Sequence, residues 1–556
     1  MSRAEPSPAD RLLLAAIALG AALPMVYMGV QQRIDYDGWW HVFIARATPW
    51  AQFWRDVHDN AHPPAFYLLL RAAAWLGSER IVYRAISIAA AVVATYLIGR
   101  LAARLLRTPR LAPLCALAFG LSMSTVVMAC SVRSYMLSVA LLLVAVGHWL
   151  ALIDPRREAG RATRIWFAAA LSGAIATNYS AVFVAVAAAT LPLLYAAVDA
   201  PYRRWLGERL GRDGRADLAT AAPIAAVVLA IWAAHVADFP FMHHTAQFEL
   251  GAAEAAEGLG AIGSFLARVV IAEIQLFAPL PLAALPAAAR AAVVALLIGI
   301  AAGLWIALWR RADWPTAEAP LAIAALVAGQ MMLAALLGRY PFGGYLRHQY
   351  VLFPFLVLAG FALIDELVDR LRRPRLALAA VAAGVVLSSA AQWRLVHLVD
   401  VEPLGFEVAQ FAELFPDSGA VYVDRFSLIP LIAAQQRRPW ADQVEVGPNL
   451  VAVPVGDGER TLLVVRDMRR WSADLRDPAL YRDLRALLDR TGLPAVDVFR
   501  LRQDAHLLPS DPRATRIELA DSVIGQASAA GLRAERLVLD GLHVYIRLRP
   551  AGTGGT

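Results

Sequence analysis

Long apolar runs recur along the first 392 residues and decide what this chain can fold into. Runs of about 18 or more apolar residues are long enough to cross the roughly 30 Å of hydrocarbon in a bilayer. The chain is 59% hydrophobic and has a mean hydropathy of +0.53, which is too apolar for a soluble protein of 556 residues. The pattern predicts a polytopic α-helical membrane protein with about eleven spans. The predicted spans cover about 11–30, 83–104, 111–130, 136–153, 165–181, 182–198, 221–238, 286–308, 320–338, 349–366 and 375–392.

Arginines predict which ends of these spans face the cytoplasm. All 52 basic residues are Arg, because the chain contains no Lys. Arg-rich connections alternate with Arg-poor ones, which is the positive-inside pattern of cytoplasmic loops. The N-terminus and the Arg-rich connections are therefore predicted to be cytoplasmic, and the net charge of +7 reflects topology rather than nucleic-acid binding. The Arg-rich connections lie near 100–110, 156–164, 203–215, 310–311 and 370–375.

The first Arg-poor connection, 31–82, is the most unusual of the predicted outer loops. Most connections run to about 4–6 residues, whereas this one is far longer and places Asp35 and Asp37 directly after the first span. Its segment 64–76 is apolar but too short to span and carries Arg71, so it is predicted to lie along the membrane interface. Carboxylates held at a membrane surface indicate a site for an amphiphilic substrate.

The region 393–556 differs from the apolar region before it in composition and in pattern. It is charged and rich in Pro and Asp, and short β-branched runs such as GAVYVDR, RTLLVVRD and AVDVFRL alternate with helical patterns such as ALYRDLRALLDRTG. This alternation is typical of an α/β domain. We therefore predict a transmembrane module over 1–392 followed by an extracytoplasmic α/β domain over 393–556. Cys115 and Cys130 lie in predicted spans and are interpreted as core residues.

Arginines and histidines also occur at the predicted outer ends of separate spans. Guanidinium groups hold phosphate or pyrophosphate by paired hydrogen bonds, and a carboxylate can remove a proton from an attacking hydroxyl. Carboxylates facing several arginines at the lipid boundary would suit transfer of a sugar from a lipid phosphate. The outer-face candidates besides Asp35 and Asp37 are Arg84, Arg133, Arg339, Arg347, His41, His58, His62, His243, His244 and His348.

Several motifs resemble the GT-C superfamily of polyprenyl-phosphate-sugar-dependent glycosyltransferases, of the protein O-mannosyltransferase and aminoarabinose-transferase type. YDGWW, HPPAFYLLLR and SERIVYRAIS resemble the first outer loop of that superfamily. VRSYML resembles its Arg-x-Tyr turn, and RHQYVLFP resembles its late Arg-Tyr…Pro segment. The matching positions are Asp37, His62, Pro63, Pro64, Arg84, Arg133, Tyr135, Arg347, Tyr350 and Pro354.

The resemblance implies an extracytoplasmic active site, an inverting mechanism and a polyprenyl-phosphate-linked sugar donor. Asp37 is then the general base, and Asp35 shares the role or orients the acceptor. Gly38 stands where Glu is usual, which weakens an acid-pair or metal proposal, and His62 replaces the Lys of aminoarabinose transferases, which argues against that sugar. The predicted donor phosphate-binding residues are Arg133, Arg347, Arg84 and His62, and the predicted substrate contacts are Tyr135, Tyr350 and His348.

Other interpretations compete with this one. Asp37 also suits a helix cap and His62 a helix start, while Arg133 and Arg347 also suit interface anchors. A glycolipid transporter or flippase, and a non-catalytic envelope scaffold, share the apolar architecture. No cofactor is predicted; the pair His243–His244 lacks clustered Cys or Asp, and a divalent metal is left open.

The predicted partners are a polyprenyl-phosphate sugar, a cell-envelope acceptor and the lipid bilayer, without nucleic acid. The predicted location is the bacterial cytoplasmic membrane, with the active site and the C-terminal domain outside the cytoplasm. The sugar is not identified by the sequence, and neither is the acceptor, which is lipid A, a polysaccharide, a protein or another glycolipid.

Overall fold

The structure is a computed structural model of the chain. It divides into two compact units. The first, the helical unit, comprises Met1–Gln31 and Ile44–Val396, and the second, the sheet unit, comprises Gln32–Phe43 and His397–Thr556. The residues that the structure describes are 7–31, 34, 36–46, 50–58, 62–77, 80–236, 269–270, 318–340, 342, 346–370, 374–399, 420–423, 444–447, 450–455, 460–465, 477–501, 512–539, 543–552 and a few positions between 292 and 306.

The regular secondary structure of the described residues as far as 399 is helical. A π-helical turn, Trp232–Val236, follows the eleventh helix, and a 3₁₀ turn, Tyr350–Leu352, follows the thirteenth. The helices are α1 (Pro8–Gln31), α2 (Tyr36–Arg46), α3 (Trp50–His58), α4 (Pro64–Ala73), α5 (Arg80–Leu105), α6 (Leu111–Gly120), α7 (Met123–Cys130), α8 (Tyr135–Ile153), α9 (Arg161–Thr177), α10 (Ala181–Val198), α11 (Ala200–Ile231), α12 (Ala319–Leu336), α13 (Leu346–Gln349), α14 (Phe353–Arg370) and α15 (Pro374–Val399).

The prediction of a multi-pass helical membrane protein is confirmed. Among the described residues, eight helices are long and apolar enough to cross a membrane, or nine if α6 and α7 together make one span. Helix α9, with 17 residues, matches the predicted span 165–181. Most of the predicted span 286–308 lies outside the described residues.

The predicted span 111–130 is wrong as a single straight helix. Helices α6 and α7 meet at a bend of 50°. Gly120 ends α6 in close packing, because an added Cβ would come within 2.8 Å of Thr95. Ser122 begins α7 as its N-cap, and its side-chain oxygen accepts from the backbone N–H of Thr125. A Leu-Ser pair after glycine therefore breaks the helix within an otherwise apolar run.

The predicted basic loop over 203–215 is also wrong, because those residues lie inside α11. Asp199 is the N-cap residue, and Pro201 lies in the first turn, where its missing N–H and fixed φ are tolerated. Arg209 pairs with Asp217 at 3.2 Å on the same helix. Arginine and glutamate are good helix formers, so charge alone did not mark a loop.

The helices of the helical unit run between two ends, which are defined here by their contacts. At the first, the arginine-rich end, the backbone N–H groups of Arg107 and Thr108 donate to Asp365 at 2.5 and 3.0 Å. At the second, the tyrosine end, the Ser87 hydroxyl donates to the Arg133 carbonyl at 3.0 Å. Helices α5 and α8 therefore both run from the tyrosine end toward the arginine-rich end.

Two apolar clusters fill the interior of the helical unit. One is built around α1, α5, α6, α7 and α14, and includes Phe119 and Phe353, whose rings stack at 5.6 Å. The other is built around α8, α9, α10 and α12. Many large apolar side chains on the spanning helices are exposed, Leu23 and Leu218 among them, as expected for surfaces that face lipid. The two clusters hold the turns at the tyrosine end in fixed positions.

The sheet unit confirms the predicted α/β fold class. The seven strands that the structure describes have the order β2-β3-β4-β1-β5-β7-β6, in which β4, β1 and β5 are parallel and the outer pairings are antiparallel. The elements are β1 (Ala420–Val423), β2 (Val444–Gly447), β3 (Leu450–Val455), β4 (Arg460–Val465), α16 (Pro478–Thr491), β5 (Val496–Leu501), α17 (Pro512–Ala529), β6 (Leu532–Leu539) and β7 (His543–Pro550).

Helix α16 shows why the sequence folds as it does in this unit. The Asp477 carboxylate accepts from the N–H of Ala479 at 2.9 Å, and Pro478 occupies the first helical position. Gly492 ends the helix with φ of 66°, a conformation that favours glycine. On β5 the buried carboxylate of Asp497 is held by Arg547 at 2.9 Å and by the Tyr545 hydroxyl at 3.0 Å.

Candidate functional site

Two turns that carry sequence motifs lie together at the tyrosine end. The VRSY turn joins α7 to α8, and the TNYS turn joins α9 to α10. The side-chain amide of Asn178 donates to the Ser134 hydroxyl at 3.5 Å, and the Ser180 hydroxyl donates to the Asn178 side-chain oxygen at 2.7 Å. Packing of α8 against α9 supports this contact, since Ser138 on α8 donates to the Ala174 carbonyl at 3.3 Å. Both motifs therefore belong to one polar region.

Tyr135 and His62 meet beside these turns. Tyr135 begins α8 directly after the VRSY turn, and His62 precedes the Pro63–Pro64 pair that starts α4. Their ring centroids lie 6.4 Å apart at an interplanar angle of 88°, an edge-to-face contact. The structure thus brings together two residues predicted from motifs more than 70 residues apart in the sequence.

Tyr340 connects this region to the late Arg-Tyr segment. Its hydroxyl donates to the His348 carbonyl at 2.7 Å, and Ser180 forms a hydrogen bond with it. Burial raises the pKa of Tyr340 well above its usual value, and the neighbouring Tyr135 raises it further. Tyr340 therefore keeps its proton at neutral pH and acts as a hydrogen-bond donor.

Arg347 and His348 complete the group on the short helix α13. The Arg347 Nε donates to the His348 Nε2 at 3.3 Å, so that ring nitrogen is the acceptor. Both side chains are half-buried. We call the group the tyrosine–histidine cluster, and its members are His62, Tyr135, Ser180, Tyr340, Arg347 and His348.

Arg133 lies in the VRSY turn between Val132 and Ser134 and is buried, with 4% of its surface exposed. Its carbonyl accepts from Ser87 on α5, which fixes the turn against that helix. A charge-assisted hydrogen bond made by a buried guanidinium group is stronger than one made in water, and the predicted phosphate contact of Arg133 stays a prediction.

Arg84 has a different setting from Arg133. Its Nε donates to the Cys130 carbonyl at 2.5 Å, and a terminal N–H donates to the Gly29 carbonyl. These carbonyls close the last turns of α7 and α1, where helices leave carbonyl groups without intrahelical partners. The described contacts of Arg84 therefore give it a structural role that joins three helices, and its predicted phosphate contact stays a prediction.

Tyr350 lies in the apolar core next to α13 rather than in the cluster. It is fully buried, its hydroxyl shares a hydrogen bond with Thr125 at 2.8 Å, and its ring stacks on Phe353 at 5.6 Å. These contacts describe a packing residue that anchors the segment after Arg347 and His348. The predicted substrate contact of Tyr350 stays a prediction.

The carboxylates of Asp35 and Asp37, the predicted catalytic groups, both lie outside the part of the chain that the structure describes. Asp35 lies outside the described residues, and so does the side chain of Asp37, whose backbone is part of α2. His243 and His244 also lie outside them. Within the described part of the chain, no three His, Cys, Asp or Glu residues are close enough together to hold a metal ion. Asp37 as the base and the lack of a cofactor both stay predictions.

Helices α3 and α4 form an amphipathic ledge in the helical unit. Phe53, Phe66 and Tyr67 are fully buried, whereas Trp54 is 47% exposed and Trp75 is 86% exposed. The predicted helix over 64–76 is thus confirmed over Pro64–Ala73. An apolar face left exposed on short helices suits contact with the membrane interface.

Arg71 ties the ledge together. Its guanidinium carbon lies 4.3 Å from the Trp50 ring centroid, and its Nη1 donates to the Ala45 carbonyl at 2.9 Å. Partial burial lowers the pKa of Arg71 from its usual value, although arginine stays charged at any physiological pH. Arg71, whose charge indicated that 64–76 does not span the membrane, therefore stabilises the packing of α3 and α4.

Polar groups also occur at the bend between α6 and α7. The Met123 N–H donates to the Gln392 side-chain oxygen at 2.7 Å, and Ser122 donates to Thr125 at 2.9 Å. A broken helix is what a transporter would use to expose backbone groups to its substrate. Here these groups bond to one another, which favours a structural bend.

Sequence reasoning missed Tyr340 and Ser180. Tyr340 lies in the segment RYPFGGYLRHQY, where the predicted residues are Arg339, Arg347, His348 and Tyr350, and Ser180 lies in the turn TNYS, where no site residue is predicted. A tyrosine between two apolar helices is common at membrane interfaces, so nothing in the sequence distinguished Tyr340 from an interface anchor. Its ring contacts Phe183 on α10 with a centroid distance of 5.0 Å, a contact that no sequence pattern indicates.

Comparison with known proteins shows the fold. No protein-family model matches the chain, and no curated protein matches it. The crystal structure of ArnT from Cupriavidus metallidurans bound to undecaprenyl phosphate is similar, with 12% identity and a TM-score of 0.51 over 96% of this chain and 97% of that chain. The apo structure of the same ArnT gives 12% identity and a TM-score of 0.50 over 97% and 98%. The chain therefore shares its fold with these structures over almost its whole length, and it is a polytopic helical membrane protein as predicted.

Proposed function

We propose that this protein is a glycosyltransferase that moves a sugar from a polyprenyl-phosphate-linked donor to a cell-envelope acceptor. The tyrosine–histidine cluster is the observation that carries the proposal, because it joins His62, Arg347 and the Arg133 turn at one end of the helical unit. The similarity in fold to an ArnT structure that contains undecaprenyl phosphate supports the same class of donor. The ledge of α3 and α4 suits the lipid portion of such a substrate.

In this proposal Arg133 and Arg347 hold the donor phosphate, and His62 supports them. The polyprenyl phosphate, a monoester, leaves the sugar more easily when guanidinium groups stabilise the negative charge that develops on it. Tyr340 positions Arg347, because its hydroxyl holds the backbone of the next residue. Arg84 holds α1, α5 and α7 together beneath the site.

Asp37 is the proposed general base, with Asp35 as its partner. The acceptor hydroxyl gives its proton to the carboxylate as its oxygen attacks the anomeric carbon from the side opposite the phosphate. The bond from the anomeric carbon to the phosphate oxygen breaks, the lipid phosphate leaves, and the sugar configuration inverts. This step needs no redox cofactor.

The reaction is proposed to occur on the outer face of the bacterial cytoplasmic membrane. The alternation of Arg-rich and Arg-poor connections supports this orientation. We expect single cysteines introduced at Ala551 and Arg212 to be labelled from opposite sides of the membrane, with Ala551 outside. Labelling of both positions from one side would contradict the orientation.

The function is tested by incubating membranes that contain the protein with radiolabelled undecaprenyl-phosphate sugars. We expect one label to move from the lipid fraction into an envelope fraction, and the transfer to require Asp37. Movement of intact labelled lipid across the bilayer without release of undecaprenyl phosphate would instead favour a flippase. An envelope scaffold would give neither result.

A further inference from the structure

Gln349 is a buried side chain that the proposed mechanism does not use. It ends helix α13 and has none of its surface exposed. Among the residues that the structure describes, no donor or acceptor lies within hydrogen-bonding distance of its Oε1 or its Nε2. The great majority of buried polar side-chain atoms have a hydrogen-bond partner, so a buried amide with neither atom paired requires an explanation.

Two other buried or half-buried glutamines in the same unit show the usual arrangement. Gln392 accepts from the Met123 N–H at 2.7 Å and donates to the Ser388 hydroxyl at 3.0 Å. Gln330 donates to the Phe183 carbonyl at 3.2 Å. The side-chain amides of Gln392 and Gln330 therefore have hydrogen-bond partners within the helical unit, whereas the amide of Gln349 has none among the described residues.

The position of Gln349 is fixed by its neighbours in the chain. The carbonyl of His348 accepts from Tyr340 on one side, and the hydroxyl of Tyr350 bonds to Thr125 on the other. Arg347, a proposed phosphate ligand, is two residues away on the same short helix. The backbone at Gln349 is thus held within the tyrosine end.

We propose that Gln349 is a specificity-determining residue whose side-chain amide recognises a hydroxyl group of the transferred sugar. This inference rests on the proposed function. An amide offers an acceptor and two N–H donors, whereas an ionised phosphate diester offers acceptors only and would leave Oε1 without a partner. A sugar hydroxyl both donates and accepts, so it matches the amide.

Contact with the sugar requires a change of side-chain rotamer, because Gln349 is fully covered in this structure. The amide leaves no hydrogen bond behind when it turns, so lost hydrogen bonds add nothing to the energetic cost of the turn. Side-chain rotamer changes of this kind are common when ligands bind. Replacing Gln349 should therefore affect sugar recognition more than stability.

The test uses the purified full chain with Gln349→Met, which keeps side-chain length and removes the amide. Gln349→Leu is the second variant, and Gln392→Met is the matched control at a paired glutamine. Affinity is measured for undecaprenyl phosphate and for undecaprenyl phosphate carrying glucose, mannose or arabinose. The thermal unfolding midpoint of the lipid-free protein is measured alongside.

We expect the wild type to bind one sugar lipid more tightly than undecaprenyl phosphate. Gln349→Met should bind that sugar lipid about tenfold more weakly, equivalent to about 1.4 kcal/mol, with unchanged affinity for undecaprenyl phosphate and an unfolding midpoint that is not lowered. Gln392→Met should lower the midpoint and keep the sugar preference.

Retention of the sugar preference by both Gln349 variants would overturn the inference, and so would a lowered midpoint with an unchanged preference. If the wild type binds undecaprenyl phosphate without preferring any sugar lipid, the inference fails while donor-lipid binding stands. If the wild type binds none of these lipids, the proposed function itself fails.

Discussion

The two ends of the helical unit use arginine in different ways. At the arginine-rich end, Arg164 on α9 pairs with Asp213 at 3.1 Å and with Asp217 at 3.2 Å. At the tyrosine end, the described contacts of Arg84 and Arg347 are with backbone carbonyls and an imidazole nitrogen. Ion pairs join α9 to α11 at the first end, whereas at the second end the hydrogen bonds of Arg84 join α5 to α1 and α7.

The arginine-rich end uses arginine to pair elements of the chain, and the tyrosine end is the one that we propose receives the donor phosphate. An arginine that already holds a carboxylate would have to exchange one anion for another, which gains little. A guanidinium group that contacts the donor phosphate gains a charge-assisted hydrogen bond. The number of arginines alone would select the arginine-rich end, whose basic connections we interpret as a topology signal.

The largest expected effect comes from Asp37→Asn. The change keeps the size of the side chain but removes the proposed base, and general-base catalysis is typically worth about 10²–10⁴-fold in rate. Transfer of labelled sugar by purified protein should fall by that factor, while the unfolding midpoint stays the same.

Asp199→Asn at the arginine-rich end is the control for this change and should retain full transfer. If Asp35→Asn stops transfer and Asp37→Asn does not, the roles of the two carboxylates are reversed. Normal transfer by both would remove the carboxylate mechanism.

The next effect is on donor binding. Arg133→Lys and Arg347→Lys keep the charge but lose the planar fork that holds two phosphate oxygens. A charge-assisted hydrogen bond is worth about 1.5–3 kcal/mol, so the donor concentration needed for half-maximal rate should rise about tenfold to hundredfold, with partial recovery of rate at high donor concentration.

Arg157→Lys, which lies 3.5 Å from Asp154 at the other end, is the matched control and should leave the donor requirement unchanged. A donor titration decides the point. An unchanged titration for Arg133→Lys and Arg347→Lys would mean that these residues only anchor helices, with Arg84 and His62 as the next candidates.

A smaller effect is expected on stability at the arginine-rich end. Arg164→Gln removes two partly buried ion pairs between α9 and α11 and should lower the free energy of unfolding by about 1–3 kcal/mol without changing the donor requirement. Arg212→Gln is the control, because Arg212 is 70% exposed and lies 4.0 Å from Asp213; its effect should be about 0–1 kcal/mol. A change in donor requirement for Arg164→Gln would mean that the two ends do not act separately.

The sequence predicted the helical architecture well because hydropathy acts over whole helices. It predicted most spans, the short helix at α4 and the α/β fold class of the sheet unit. It failed where a local contact decides the outcome. The bend after Gly120 depends on the cap formed by Ser122. The continuation of α11 through its arginines depends on the ion pairs that Asp217 makes with Arg209 on the same helix and with Arg164 on α9.

The site was predicted less completely than the fold. Motifs led to His62, Tyr135, Arg347 and His348, which the structure brings into one cluster. Tyr340 was not found, because its role arises from a hydrogen bond to a backbone carbonyl that no motif encodes. Gln349 was not found because an unpaired amide can be recognised only when its surroundings are known.

Photo-crosslinking with undecaprenyl phosphate that carries a photoreactive group next to the phosphate tests the central claim most directly. If the tyrosine end binds the donor phosphate, the label should appear in peptides that contain residues 131–135, 178–180 and 346–350, and unlabelled undecaprenyl phosphate should compete it away. Competable label in peptides that contain residues 104–110, 154–164 and 203–217 would place the phosphate at the arginine-rich end and contradict the account.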